Sequence, residues 1–139
     1  MPKKTDYARK KPTCQELRDL DLEITFMEGL VQRDPGHLDA LQILGDDYTR
    51  RGRYEDGLRI DQRLALLHPS DALIHYNLAC SYSLTNQIGL AVAALETAIN
   101  LGYHDFAWMI KDPDLKNIRA HPDFKRIRAK VRGRQVKQA

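Results

Sequence analysis

Cysteine is scarce: Cys14 and Cys80 are the two in 139 residues, far apart and with no second thiol near either at metal-ligand spacing. A disulfide framework and a cysteine zinc site are therefore not expected, and two reduced thiols suit a chain placed in the cytoplasm. Long apolar runs are missing too. A stretch such as Gly89 to Leu95 is far too short to cross a bilayer, and the basic opening MPKKTDYARKKP has no apolar segment behind it, so neither a membrane partner nor export is expected. Strand-like alternation is absent, as are a Gly-x-x-x-x-Gly-Lys loop, a Gly-x-Gly-x-x-Gly turn and a Gly-x-Ser-x-Gly elbow, which removes the usual supports of nucleotide and acyl-transfer chemistry. His37, His68, His75, His104 and His121 never fall in an HExxH or an i, i+4 pair with a carboxylate on the same face, so no metal site is expected. The chain accordingly reads as no enzyme, with no cofactor.

Acid is the other absence. Residues 125 to 139 carry seven basic groups (Lys125, Arg126, Arg128, Lys130, Arg132, Arg134, Lys137) and no Asp or Glu, while residues 1 to 11 carry five basic groups against Asp6. The two arms hold +11 of a net +3, which leaves the 113 residues between them at −8. The folded body is thus acidic and its ends basic, and the basic isoelectric point describes the ends alone. Such arms could neutralise phosphates, although the last arm has no aromatics beyond Phe124 interleaved with its cations, and charge by itself supplies only non-specific affinity. Keeping the chain soluble, or folding back on the acidic body, explains them equally well.

What is present is a repeat. A shift of 34 residues lays Leu44, Gly45 and Tyr48 over Leu78, Ala79 and Tyr82, and Pro35 over Pro69. Leu41, Leu44, Gly45 and Tyr48 share one side of a helix, where Gly45 lets a partner helix approach closely. Gly57 does the same from a second helix carrying Tyr54, Leu58, Leu64 and Leu67, and Gly52 suits the left-handed stop between them. The charged run "LGDDYTRRGRYEDG" is therefore a corner between two helices. The second unit places Asn86 at the turn and Ile88, Ala91, Val92, Leu95 and Ala98 on its second helix. Upstream, Thr13-Cys14-Gln15-Glu16 reads as a capping box opening a helix with Leu17, Leu20, Ile24, Met27, Leu30 and Val31.

This pattern resembles the tetratricopeptide repeat, with two full units near 38–71 and 72–105 and a preceding half unit. The resemblance implies an all-α fold, a right-handed stack of helical hairpins spanning residues 13–131, with residues 1–12 a flexible basic arm and 132–139 a basic tail. Pro113 and Pro122 open short helices in a closing segment, 106–131, that looks like the "DPDL...R...P.F" cap of such proteins, and Gly133 is expected to end regular structure. His75 and Asp61 depart from the family's large aromatic and phenylalanine, and Asp61 is expected at a groove edge or in water because an unpaired buried carboxylate is expensive. Asp112 is read as a helix cap with Asp114 in the first turn, Glu55 and Asp56 as opening a helix, and Asp47 as facing solvent.

First helices of such stacks line a concave face, and the family register implies that this face comprises Asp39, Gln42, Asp46, Thr49 and Arg50, then Leu73, Tyr76, Asn77, Cys80, Ser83 and Leu84. Tyr76 and Leu84 would anchor a bound peptide or partner helix unless the 106–110 helix or another subunit covers them. Asn77 matches an asparagine with which some relatives grip a terminal carboxylate, but Gln42 and Asp46 stand where that clamp needs lysine and asparagine, so a chaperone-tail receptor is not expected. The expected function is non-catalytic binding of a protein or peptide partner. Alternatives are a secretion or assembly chaperone built on the same repeats and an accessory nucleic-acid binder using the arms, and a homo-oligomer is left open.

Overall fold

A computed structural model describes the backbone of residues 11–138 and the side chains of 11–135. The arm at 1–12 therefore lies almost wholly outside the described residues. The chain is all-α. Its helices are α1 (Cys14–Arg33), α2 (Leu38–Arg50), α3 (Tyr54–Leu67), α4 (Ala72–Leu84), α5 (Ile88–Asn100), α6 (Phe106–Met109), α7 (Lys116–Arg119) and α8 (Phe124–Gln138), with a 3-10 turn at Pro113–Leu115 before α7. No strand occurs among the described residues.

Local chemistry sets the boundaries. Thr13 Oγ1 accepts the Glu16 N–H at 3.1 Å while Glu16 Oε2 accepts the Thr13 N–H at 2.8 Å, the reciprocal cap expected at the start of α1. His37 Nδ1 caps α2 through the Ala40 N–H, and Asp71 Oδ1 caps α4 through Leu73 and Ile74. The corners repeat atom for atom. Gly52 (φ 82°) and Asn86 (φ 60°) take the left-handed conformation, with Arg53 N–H bonded to the Tyr48 carbonyl and Gln87 N–H to the Tyr82 carbonyl, each at 2.8 Å.

Each helix from α1 to α5 packs on the next, which makes a stack of hairpins. A Cβ placed on Gly57 would sit 3.2 Å from Thr49 Oγ1 and 3.6 Å from the Gly45 carbonyl oxygen, so α2 and α3 meet nearly backbone to backbone. In the second hairpin Ala79 and Ala91 fill the corresponding places with no exposure. Two apolar clusters result: Ile24, Val31, Leu41, Leu44, Ile60, Leu64 and Ile74 in the first half, and a larger one running from Leu58 through α4 and α5 to Phe124 and Ile127 in the second.

Asp61 corrects the sequence reading. It is 1% exposed, and its carboxylate accepts the Ser81 hydroxyl from α4, so the place the repeat gives to phenylalanine is a satisfied polar contact between hairpins.

After α5 the repeat breaks. The run α6, 3-10 turn and α7 takes the place of a third first helix, packing on α4 and α5, and α8 then lies along α5 through Phe124 and Ile127. Helix α8 also overturns the expected stop at Gly133, which is not among the left-handed glycines and sits inside a helix running to Gln138. Its basic residues near the carboxyl end oppose the helix dipole and favour the extra turns.

Candidate functional site

The first-helix face divides into an open half and a closed half. On α2, Asp39 is exposed and Gln42 and Arg50 are half-buried, whereas Asp46 and Thr49 are buried. On α4, Leu73, Asn77 and Leu84 are half-buried, whereas Tyr76, Cys80 and Ser83 have no exposure at all. All five buried residues are corrections to the expected surface. Thr49 turns its hydroxyl to the Gly45 carbonyl beside Gly57 of α3, and Tyr76, Cys80 and Ser83 are sealed by residues 103–119, so the cover extends well past the 106–110 helix.

Asp112 organises the seal. Tyr76 lies flat on Tyr103, ring centroids 4.1 Å apart with 7° between planes, and its hydroxyl donates to Asp112 Oδ2 at 2.5 Å. Asp112 Oδ1 accepts the Asp114 N–H at 2.9 Å, the cap foreseen before Pro113. Arg119 donates to the carbonyls of Asp112 and Met109 at 2.6 and 3.1 Å, and Asn117 donates to the Ser83 carbonyl and to Asn86 Oδ1, each at 3.0 Å. Burial pushes the Asp112 carboxyl above the usual range against the pull of these donors and of the Arg119 charge, and it pushes the Tyr76 phenol upward too. Cys80, Asp112 and Asp114 bring ligand atoms within 4.8 Å of one another, yet both Asp112 oxygens already accept hydrogen bonds and all three residues are buried. That grouping works as a latch between the closing segment and α4.

Asn77 stands at the border of the two halves, and its side-chain oxygen is buried with no hydrogen-bond partner. An amide oxygen in that condition is costly, and an incoming N–H donor would satisfy it.

A hollow of about 560 Å³ opens between α1, α2 and α3, lined in part by Glu28, Tyr48, Arg53, Asp56, Arg59 and Arg63. Tyr48 donates to Glu28, Arg53 lies 4.6 Å over the Tyr48 ring, and Asp56 pairs with both Arg53 and Arg59. These pairs make it a braced wall. The sequence reads these residues as a corner alone; the signal for the wall is the i, i+3 pairing of Arg53, Asp56 and Arg59.

Asp47 is another correction. Instead of facing solvent its side chain is 3% exposed, set against Glu23 of α1 and 4.0 Å from Arg50. Desolvation, then Glu23, pushes its carboxyl up to about 8 from an ordinary 3.8. A pKa raised on folding contributes stability below the ordinary value and loses it as pH rises through the folded one. Asp47→Asn keeps the shape without the ionisation. At about 1.4 kcal/mol per unit, discounted for relaxation and for Arg50, the variant should exceed the wild type by about 2 kcal/mol at pH 8 and match it at pH 4. Urea titrations at both pH values measure this, and an equal difference at both would contradict the buried Asp47 carboxyl.

No helix among the described residues is long and apolar enough to cross a membrane. No protein-family model matches the chain. It is similar to a chloroplastic protein of Arabidopsis thaliana, 31% identical over 113 residues that cover 78% of this chain and 32% of that protein. It is also similar to the peroxisomal targeting signal receptor of Komagataella phaffii, 33% identical over 90 residues that cover 63% of this chain and 16% of the receptor. The chain spans about a third or less of the length of these curated relatives.

Proposed function

We infer that this chain is a tetratricopeptide-type module that holds a protein or peptide partner and does no catalysis of its own. The 34-residue spacing of its two hairpins, their repeated corners and the likeness to part of a targeting-signal receptor support the reading. The observation that carries it is the Asn77 amide oxygen left without a hydrogen-bond partner on α4, one turn after the half-buried Leu73. An extended peptide presents backbone N–H groups at regular intervals, and one of them would satisfy that oxygen once the half-buried Asn77 side chain turns outward.

Selection of binders from a random peptide library tests it. Selected peptides should bind Asn77→Ala about tenfold more weakly, the effect of losing one hydrogen bond of about 1.4 kcal/mol. Peptides that bind the wild type and Asn77→Ala alike, or a library that yields none, would place the function elsewhere.

A further inference from the structure

The sequence of α8 carries seven cations and no acid, and four of the cations divide into two pairs. Arg126 reaches Glu96, and Lys130 donates to Asn100 Oδ1 at 2.9 Å, which ties one pair to α5. Arg128 and Arg132, one turn apart, instead line a cleft of about 230 Å³ between α6 and α8. Its apolar lining comes from Met109, Phe124 and Val131, and from Ile110, which is 61% exposed. Arg128 lies 5.2 Å over the Phe124 ring. No acid lines the cleft. The acids of the elements around it are engaged elsewhere: Glu96 holds Arg126, Asp105 Oδ1 accepts the Trp108 N–H as the cap of α6, Asp112 and Asp114 are buried, and Asp123 stands 3.7 Å from His121 before α8 begins.

We propose that the cleft seats an acidic segment of a partner protein, with one large apolar side chain between the α6 and α8 walls and carboxylates on either side of it facing Arg128 and Arg132. The volume lies below the range of small-molecule pockets, roughly 300–1,000 Å³, and suits a single anchoring side chain. Charge complementarity fixes what flanks the anchor. Two guanidiniums with no carboxylate among the lining residues repel a basic segment and offer forked donors to an acidic one. Nucleic acid would meet the cations and leave Ile110 and the apolar walls uncovered. A bilayer needs apolar side chains that protrude, and among the described side chains α8 exposes no large one. The cleft shares no residue with the first-helix face, so it is a second docking site and stands independently of the Asn77 groove.

Selection from a random peptide library on the full chain carrying Asn77→Ala tests the proposal, because that chain has the groove impaired and the cleft intact. Selected peptides should carry a large apolar residue between acids. Labelled synthetic copies, followed by fluorescence anisotropy, should bind the wild type and Asn77→Ala alike, and more weakly as salt is raised. Ile110→Asp and Arg128→Glu/Arg132→Glu should each weaken them by about tenfold or more; the three side chains are exposed, and circular dichroism checks that the variants fold. Copies with lysine in place of the acids should prefer Arg128→Glu/Arg132→Glu to the wild type, a reversal that an unfolded variant would not give. A library that yields no binder, binders without acid, or binding that survives both variants would overturn the proposal. So would sedimentation in which the wild type self-associates and Ile110→Asp does not, which gives the cleft to a second copy. Random-sequence DNA or phosphatidylserine vesicles bound in place of any peptide, with binding lost in Arg128→Glu/Arg132→Glu, would overturn it and assign the basic helix to phosphates.

Discussion

Tyr76→Ala should lower the unfolding free energy by about 4 kcal/mol, a large share of the stability of a chain this size. The ring has no exposure and is stacked on Tyr103, so truncation opens a cavity in the larger core cluster. It also takes away the hydroxyl that donates to Asp112, a buried carboxyl that also holds the Asp114 N–H. Tyr76→Phe separates the two contributions: with the ring kept and the donor lost, the expected cost is about 2 kcal/mol. Chemical denaturation followed by far-ultraviolet circular dichroism reads both variants. If Tyr76→Ala melts with the wild type, residues 103–119 do not seal α4, and the tyrosine returns to the groove. The same reasoning bars Tyr76 from serving as a binding probe, since any partner lost in Tyr76→Ala could be lost through unfolding.

A second large loss, about 3 kcal/mol or more, is expected for Gly57→Leu, because overpacking where two backbones meet cannot be relieved by a side-chain rotation. The first added carbon already meets Thr49 Oγ1 at 3.2 Å, and that hydroxyl is itself bonded to the Gly45 carbonyl at 3.1 Å. Beyond it lie the Gly45 carbonyl oxygen and Tyr48 Cβ at 3.6 and 3.7 Å. Gly57→Ala should be close to neutral, crowding of the hydroxyl offsetting a gain of about 1 kcal/mol in helix propensity. Gly89 is the control. It lies in α5 with nothing within 4 Å of an added Cβ, so Gly89→Ala should stabilise by about 0.5 kcal/mol. Thermal melts of the four chains in parallel decide the matter, and a Gly57→Leu chain as stable as the wild type would remove the close contact on which the hairpin rests.

How far the sequence could be read depends on where the cause of each feature lies. Gly52, Asn86 and the Thr13 box were legible because their cause is local: a positive φ, or a hydroxyl three residues from an N–H. Asp61 and Asp47 were not, because the Ser81 hydroxyl and the Glu23 carboxyl that receive them stand on other helices. A carboxylate's surroundings cannot be inferred from its neighbours in the chain. Tyr76, Cys80 and Ser83 were misplaced for a related reason: the register assigns them to the first-helix face, and a segment outside the repeat determines whether that face stays open. Asp112 and its proline were read correctly as a cap, but a capping role says nothing about which way the second carboxyl oxygen points. Gly133 shows the limit of the glycine signal, since it stops a helix only where the chain then turns left-handed, and packing of Phe124 and Ile127 on α5 carries α8 through it.

The two apolar clusters meet at α3, whose Leu58 belongs to one and whose Ile60 and Leu64 belong to the other, with Ala65 touching both. Such a seam lets one half open while the other stays shut. Amide hydrogens of α1, which has a single helical neighbour of substance, should exchange through brief local openings. Those of α4 and α5, clamped between α3 and the Asp112 latch, should exchange only when the whole chain unfolds.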